Sequence, residues 1–349
     1  MKNLLALCFL YVSFSGFSQQ NSPNIILMIG DGMGLTQIST GMYANGNQTA
    51  LEECSYIGLS KTAAANKLVT DSAASGTAMA CGIKTYNGVL GIDVKNKRHQ
   101  SILEICKEKG YTTALLATSS IVHATPASFY AKVPSRREYE TIALQLSQHQ
   151  VDYFIGGGKK FFNNRKDNRN LINEMKNYTF VKTIREFEAS NAQKIGFLTY
   201  DEEPPSLIEG RVPSLNELTA LTLQKLNATD QPFFMMIEGS QIDWGGHAKN
   251  LDYVVSEFKE FDTAIRTVLE FAKEDGNTLV IITADHETGG LALTDGNLEK
   301  GKVKGYFNTV GHSATMVPVF SFGIQSELFT GIYENTEIFQ KMVTALANN

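Results

Sequence analysis

The stretch of sequence that decides the fold is NIILMIGDGMG, residues 24–34. Its apolar part is continuous, which is typical of a strand that is buried on both faces of a sheet. The strand pattern stops at Gly30, and Asp31 follows at once. A buried strand that ends in a carboxylate predicts a parallel α/β sheet with polar side chains at its carboxyl edge.

Four other segments share this pattern, because each joins an apolar run to side chains that can bind metal ions. They are residues 114–126, 233–247, 279–287 and 311–320. Short strands alternate with amphipathic helices along the chain, which predicts an α/β three-layer sandwich with a central, mostly parallel sheet flanked by helices. Since the carboxyl ends of parallel strands meet at one edge, we expect the segments to form a single shared site.

Two helices are predicted with particular clarity. One carries an apolar stripe at helical spacing, made of Val254, Phe258, Phe261, Ile265, Val268 and Ala272. The other begins after Pro213 with a capping box from Ser214 to Glu217. The polar residues 159–212 are interpreted as a peripheral excursion, so residues 19–349 are expected to form one domain.

The composition favours a globular protein over a nucleic-acid-binding one. The chain has 349 residues, 43% of them hydrophobic, and a net charge of −5 without a run of lysine and arginine. Residues 1–18 have the features of a secretory signal peptide, which predicts a periplasmic or secreted protein without a membrane span. Three cysteines follow that segment, Cys54, Cys81 and Cys106, so at most one disulfide is expected.

The segment from Leu68 to Ala78 places an acidic residue and a hydroxyl before a run of small side chains. Val69 is predicted to end an extended segment, and Asp71 or Ser72 to cap the helix that follows. A helix N-terminus favours a serine alkoxide and a phosphate group beside it, which makes Ser72 a candidate nucleophile. The alternative is an ordinary N-cap serine before an alanine-rich core helix.

The candidate metal ligands are ambiguous when they are taken one at a time. Asp31 could cap a turn, and His312 could be a loop histidine. Asp243 and His247 could be solvated neighbours, four residues apart on one side of a helical turn. Their joint pattern is more specific, because four of the six histidines lie at strand ends. Imidazole together with carboxylate suits zinc, whereas an oxygen-only set suits magnesium.

Taken together, these segments resemble those of the alkaline phosphatases. The matching blocks occur in family order and are residues 24–34, 69–91, 118–136, 238–247, 278–289 and 312–323. Diagnostic strings include TDSA at residues 70–73 and TADH at residues 283–286. In its short length the chain resembles the compact bacterial members from marine and cold environments.

The resemblance implies a metal-dependent phosphate monoester hydrolase that forms a phosphoserine on Ser72. The zinc ion that activates this serine has the implied ligands Asp31, Asp285 and His286. A second zinc ion, which stabilises the leaving oxygen, has the implied ligands Asp243, His247 and His312. A third, magnesium-type site has the implied ligands Asp31, Thr125 and Glu238.

Three further residues receive roles from the same resemblance. Arg136 lies at the position of a guanidinium that binds two phosphate oxygens, although by itself it could be a surface arginine like Arg137, which is assigned to solvent. His123 and Trp244 replace an aspartate and a lysine of the best-known enterobacterial pattern. Both are expected to tune the third metal or the phosphate site, and Trp244 alone could be a hydrophobic anchor.

Three alternatives compete with a phosphatase of small monoesters. A phosphodiesterase or nucleotide pyrophosphatase of the same superfamily shares the zinc sites but should lack the block around Arg136. A sulfatase requires proline and arginine at fixed positions after its nucleophile, and the residues after Ser72 do not provide them. An inactive zinc- or phosphate-binding protein is disfavoured by the presence of Ser72 and every expected ligand. A homodimer is left open.

Overall fold

The computed structural model describes residues 22–149, 151–229 and 231–347. The predicted signal peptide, residues 1–18, lies outside the described residues. The strands are β1 (Asn24–Gly30), β2 (Tyr56–Lys61), β3 (Thr112–Ser120), β4 (Tyr153–Gly157), β5 (Thr179–Val181), β6 (Ile195–Leu198), β7 (Phe233–Gly239), β8 (Thr278–Thr283), β9 (Glu287–Thr288), β10 (Leu291–Asn297), β11 (Lys302–Phe307), β12 (His312–Ser313), β13 (Val317–Gly323) and β14 (Gly331–Glu334). The α-helices are α1 (Leu35–Ala44), α2 (Ser72–Cys81), α3 (Ile102–Glu108), α4 (Ala124–Ala127), α5 (Tyr139–His149), α6 (Lys160–Asn163), α7 (Leu171–Glu174), α8 (Ile184–Ala189), α9 (Leu215–Asn227), α10 (Gln241–His247), α11 (Leu251–Asp275) and α12 (Thr336–Ala347).

Ten of the described strands form one sheet in the order β14-β2-β13-β8-β1-β7-β3-β4-β6-β5. Strand β13 runs antiparallel to both of its neighbours, and all other adjacent strands are parallel. Two small antiparallel ladders, β10 with β11 and β9 with β12, lie outside this sheet. The predicted mostly parallel sheet is therefore confirmed.

Two buried hydrophobic clusters cover the two faces of the sheet. Along β1, Ile25 and Leu27 point into one cluster and Ile26 and Met28 into the other, because side chains of a strand alternate between faces. The first cluster includes apolar side chains of α2, α3, α5 and α12, and the second includes those of α1, α9 and α11. This arrangement is the three-layer sandwich that the sequence predicts.

The helix predictions are confirmed in detail. All six apolar residues of the predicted stripe are buried in α11, which packs on the second cluster. Ser214 caps α9 and forms the predicted capping box with Glu217. The 25-residue α11 ends at Asp275, and the next residue, Gly276, closes the helix with a left-handed φ of +71°.

The excursion at residues 159–212 is integrated into the main body. It contributes β5 and β6, which extend the central sheet beside β4. At its end the buried Arg211 binds Glu257 of α11 with an Nη1 to Oε1 distance of 3.1 Å. The described part of the chain contains no helix that is long and apolar enough to cross a membrane.

The cysteines Cys54, Cys81 and Cys106 all carry free thiols. The single disulfide that the sequence left possible does not form among them.

Candidate active site

The register of the sheet brings the predicted site residues to one edge. Gly30 of β1 lies beside Gly239 of β7, and Ile29 lies beside Thr283 of β8. The residues that follow these three strands therefore share one edge of the sheet. Because β13 is antiparallel to β8, the residues that precede β13, among them His312, reach the same edge.

Ser72 is the first residue of α2, and Asp71 is its N-cap. The Oδ1 atom of Asp71 accepts a hydrogen bond from the backbone N–H of Ala74 at 2.9 Å. The Ser72 hydroxyl is therefore free of a capping role, and the interpretation of Ser72 as an ordinary N-cap is wrong. Its Oγ lies 3.4 Å from Nε2 of His286, in a position that is 2% exposed.

The first predicted metal group is assembled in the fully buried part of the site. His286 Nε2 lies 3.1 Å from Oδ2 of Asp285 and 3.5 Å from Oδ1 of Asp31. The three ligand atoms lie within 4.8 Å of one another, which is close enough for one cation. The hydroxyl of Ser72, the candidate nucleophile, thus faces this group.

The second predicted group lies beside the first and is more open. Asp243 Oδ2 is 3.3 Å from Nε2 of His247, and Asp243 Oδ1 is 3.6 Å from Nε2 of His312. The predicted helical turn is confirmed, since both Asp243 and His247 belong to α10. The ring of His312 stacks on that of His286 with centroids 3.5 Å apart, and these two imidazoles cluster together with Asp243. The two groups are therefore contiguous.

The outer imidazole rings are oriented by backbone carbonyls. Nδ1 of His247 pairs with the carbonyl oxygen of Val310 at 2.5 Å, and Nδ1 of His312 pairs with that of Thr70 at 2.9 Å. A proton on Nδ1 leaves the Nε2 lone pair directed at the carboxylates. This is the tautomer in which histidine binds a metal through Nε2.

The third predicted group is found on the other side of Asp31. Thr125 Oγ1 lies 3.4 Å from Oδ2 of Asp31, and both residues are fully buried together with Glu238. His123 joins this group, because one of its ring nitrogens lies within 4.8 Å of carboxylate oxygens of Asp31 and Glu238. His123 could thus act as a direct ligand.

Arg136 is held between the N-terminus of α2 and the third group. Its Nη1 donates to Oδ2 of Asp71 at 3.1 Å, and its Nη2 lies 3.2 Å from Nε2 of His123. The ring of His123 contacts the indole of Trp244 edge to face, with centroids 6.0 Å apart. Arg137 is exposed, as the sequence predicts.

The sequence model of the alkaline phosphatase family matches residues 22–304. The chain belongs to the alkaline phosphatase family. Alkaline phosphatase 3 of Bacillus subtilis is 33% identical over 421 aligned residues, which cover 95% of this chain and 90% of that protein. The alkaline phosphatase from the Antarctic bacterium TAB5 is 43% identical and superposes with a TM-score of 0.88, over 95% of this chain and all of that one. A cold-active alkaline phosphatase from a psychrophilic Shewanella is 26% identical, with a TM-score of 0.84 over 93% of this chain and 99% of that one.

Enzymes of the alkaline phosphatase family depend on metal ions, and the donors present here fit such ions. Three buried carboxylate oxygens, Asp31 Oδ1, Glu238 Oε1 and Asp285 Oδ2, have no hydrogen-bond donor among the described residues. Buried acceptors are normally satisfied, so three of them at one edge indicate cation ligands. The imidazole nitrogens that accompany the carboxylates suit zinc.

The electrostatics of the alkaline phosphatase site lead to the same conclusion. Burial, together with the charge of Asp285, raises the pKa of Asp31 well above its ordinary value. Burial raises the pKa of Glu238 to about 7. Positive charge is therefore needed to keep these carboxyl groups ionised at neutral pH. Burial and the nearby Arg136 lower the pKa of His123 to about 3, so its ring is neutral and able to bind a metal.

Two supporting residues are not identified from the sequence. Asp71 is predicted only as a cap, yet it also anchors the guanidinium of Arg136. Thr288 has no predicted role. Its hydroxyl donates to Asp243 and lies 3.2 Å from Nδ1 of His286, so it connects the two metal groups. The available signal is the position of Thr288 in the sequence, two residues after His286.

Gly32 provides a test of how closely the loop after β1 must approach helix α10. Its φ is +72°, and a Cβ atom there would lie 2.7 Å from Cα of Asp243 and 2.8 Å from Oγ1 of Thr288. We expect Gly32→Ala to displace Asp243 and to reduce both bound zinc and monoester hydrolysis. Metal analysis and a colorimetric phosphatase assay measure the two effects.

Gly46→Ala is the matched control, because Gly46 has the same φ of +72° and a Cβ atom there would have no described atom within 4 Å. Both variants bear a similar backbone strain of about 1 kcal/mol. Equal behaviour of the two variants would show that close approach to Asp243 is unimportant.

Proposed function

We propose that this alkaline phosphatase hydrolyses small phosphate monoesters through a phosphoserine on Ser72, with two zinc ions and one magnesium ion. The observation that carries the proposal is the position of the Ser72 hydroxyl. It lies at the start of the buried helix α2, 3.4 Å from Nε2 of His286, while Arg136 is anchored to the adjacent Asp71. Nucleophile, metal donors and an anion-binding guanidinium thus converge on one point.

The three metal ions would be held by the residues that the sequence predicts as their ligands. Asp31, Asp285 and His286 would hold the zinc ion next to Ser72. Asp243, His247 and His312 would hold the second zinc ion. Asp31, Thr125 and Glu238 would hold magnesium, with His123 beside them. When bound, these cations supply Lewis-acid stabilisation for the entering and leaving oxygens.

The residues of the chain itself orient the reaction. The N-terminus of α2 carries a partial positive charge that favours the Ser72 alkoxide and the phosphate group. Ser72 Oγ attacks phosphorus, the ester P–O bond breaks, and the alcohol leaves with a proton. Water then attacks the phosphoserine and releases inorganic phosphate, which restores the Ser72 hydroxyl.

Arg136 supports a monoesterase over the alternative phosphodiesterase. A guanidinium binds two oxygens of one phosphate group in a fork, and a monoester offers more charged oxygens to it than a diester does. Asp71 holds this guanidinium through Nη1 at 3.1 Å, beside the nucleophile. Retention of Ser72 in a reactive position argues against an inactive phosphate-binding protein.

His123 and Trp244 are proposed to tune the third metal and phosphate release. An imidazole is a softer ligand than a carboxylate, so magnesium should bind weakly beside His123. Variants of the TAB5 alkaline phosphatase in which a histidine is replaced by glutamate or aspartate have Mg bound in the M3 site. This supports the proposal that a carboxylate in place of His123 favours magnesium.

The proposed setting of the enzyme follows from the N-terminal sequence. Residues 1–18 would direct export and be removed, and residues 19–349 would form a single catalytic domain. The enzyme would then act in the periplasm or outside the cell, and would release phosphate from free monoesters there.

Replacement of the nucleophile is the first test of this function. We expect Ser72→Ala to abolish trapping of phosphoserine and to lower kcat by about 10³-fold or more, because the covalent route is lost. Ser75, on the next turn of α2, donates to the carbonyl oxygen of Asp285 at 2.7 Å, so its hydroxyl is already engaged in a hydrogen bond within the protein. Ser75→Ala should keep phosphoserine formation and lose about tenfold or less in kcat. The opposite ranking would identify the wrong nucleophile.

Arg136→Ala tests monoester selectivity. We expect kcat/KM to fall more for a phosphate monoester than for the matching diester, since the diester has one fewer charged oxygen to pair with the guanidinium. Arg137→Ala is the matched control, because Arg137 is exposed and adjacent in sequence. An equal loss on both substrates would exclude Arg136 as a phosphate ligand.

The contacting rings of His123 and Trp244 can be tested separately. Trp244→Lys adds a positive charge beside the phosphate site and should strengthen competitive inhibition by inorganic phosphate. His123→Asp should reduce the magnesium concentration that is needed for full activity. Inhibition constants and magnesium titrations of zinc-loaded variants measure both effects. Unchanged inhibition in Trp244→Lys would mean that Trp244 only packs at the rim.

A further inference from the structure

Glu287 is a buried carboxylate that the proposed mechanism does not use. It lies between His286 and Thr288 and is 5% exposed. No lysine or arginine of the described ranges forms an ion pair with it. A buried charge without a cation is costly unless hydrogen-bond donors satisfy it, so the donors around Glu287 reveal what it does.

Four hydrogen bonds converge on this carboxylate. Oε1 accepts from Nε2 of Gln37 at 2.8 Å and from the backbone N–H of Leu291 at 3.1 Å. Oε2 accepts from the hydroxyl of Ser313 and from the backbone N–H of Gly290 at 3.2 Å. The donors come from α1, from β12 and from the turn that leads into β10. Glu287 thus connects three separate segments of the chain.

Glu287 and its partner Ser313 each lie next to a proposed zinc ligand in the sequence. His286 immediately precedes Glu287, and His312 immediately precedes Ser313. Strands β9 and β12 pair over only two positions, with His312 opposite Thr288 and Ser313 opposite Glu287. A two-residue ladder has little stability of its own. The bond between the Ser313 hydroxyl and Glu287 therefore helps to hold the segment of His312 against that of His286, together with the bond from His312 to the carbonyl oxygen of Thr70.

The loop that follows Asp31 leaves room for the side chain of Glu287, because residue 34 is a glycine. A Cβ atom on Gly34 would lie 2.4 Å from Cγ of Glu287 and 3.0 Å from Oε1 of Gln37. The Gln37 amide also donates to the carbonyl oxygen of Thr288 at 2.7 Å. The loop that follows Asp31 and the segment that follows His286 are thereby packed directly on each other around Glu287.

We propose that Glu287 is a positioning residue that sets the affinity for both zinc ions, because it fixes a ligand of each proposed site through its neighbours in sequence. The inference rests on the proposed two-zinc function. A glutamine cannot replace the carboxylate, since its amide would present one acceptor oxygen and an NH₂ group to four donors. The backbone N–H of Gly290 or that of Leu291 would then face the NH₂ group and lose its acceptor, because a backbone donor cannot reverse its role.

The experiment compares Glu287→Gln with the wild-type enzyme by zinc competition against a chromophoric chelator. We expect both zinc ions to bind about 10- to 100-fold more weakly, which is the usual effect of removing a partner of metal ligands. Saturating zinc should restore most of kcat. The absorption spectrum of the cobalt-substituted enzyme should change, because the imidazoles are reoriented, whereas a purely structural loss lowers the melting temperature without altering that spectrum.

Two further variants keep the inference testable. Ser313→Ala removes one donor and should weaken zinc binding in the same direction by a smaller factor, and it serves if Glu287→Gln does not fold. Its effect should be non-additive with that of Glu287→Gln in the double variant. Glu299→Gln, at an exposed glutamate of the β10–β11 turn, is the matched control and should bind zinc as the wild type does.

The outcomes separate this inference from the proposed function. Wild-type zinc affinity in both Glu287→Gln and Ser313→Ala would overturn the role of Glu287 alone. Weakening of only one zinc ion in Glu287→Gln would also overturn it. A wild-type enzyme that binds no zinc would refute the proposed function itself.

Discussion

Mutual repulsion of buried carboxylates is the constraint on which the rest of this structure depends. Asp31, Asp285, Asp243 and Glu238 are all at most 5% exposed and lie around one point at the edge of the sheet. In a poorly solvated interior such charges are stable only when cations and hydrogen-bond donors compensate them. The apolar strands that deliver the carboxylates cannot do this, so compensation must come from bound metal ions, from Arg136 and from donors such as the Thr288 hydroxyl on Asp243.

The fold meets this constraint by geometry that apolar packing makes rigid. Strands β1, β7 and β8 are adjacent and in register, so their ends deliver ligands from three distant parts of the chain to one place. Glycine allows the loops beyond these strands to approach, as at Gly32, where a Cβ atom would meet the backbone of Asp243. One side of the site is more exposed to solvent than the other. Ser72 is buried, whereas the side chain of His247 is 41% exposed, so the site opens to solvent on the side of His247.

Much of this arrangement could be predicted from the sequence, because it depends on local patterns. Continuous apolar runs predicted the strands, helical spacing predicted α11, and strand ends that carry aspartate and histidine predicted a shared site. The contacts that were missed join residues far apart in the chain through side-chain orientation. Asp71 reaches Arg136 across 65 positions, and Glu287 reaches Gln37 across 250. The reversed direction of β13 was also not predicted, since an apolar run does not reveal the direction of a strand.

Buried carboxylates and imidazoles at this edge are proposed to hold the zinc ions on which hydrolysis depends. The most direct measurement is a zinc titration of chelator-stripped enzyme, in which bound zinc and the hydrolysis of p-nitrophenyl phosphate are determined in the same samples at fixed magnesium. We predict no activity in the stripped enzyme and a rise in activity that is complete when two zinc ions are bound per chain. Full activity in enzyme that contains no metal would contradict this claim.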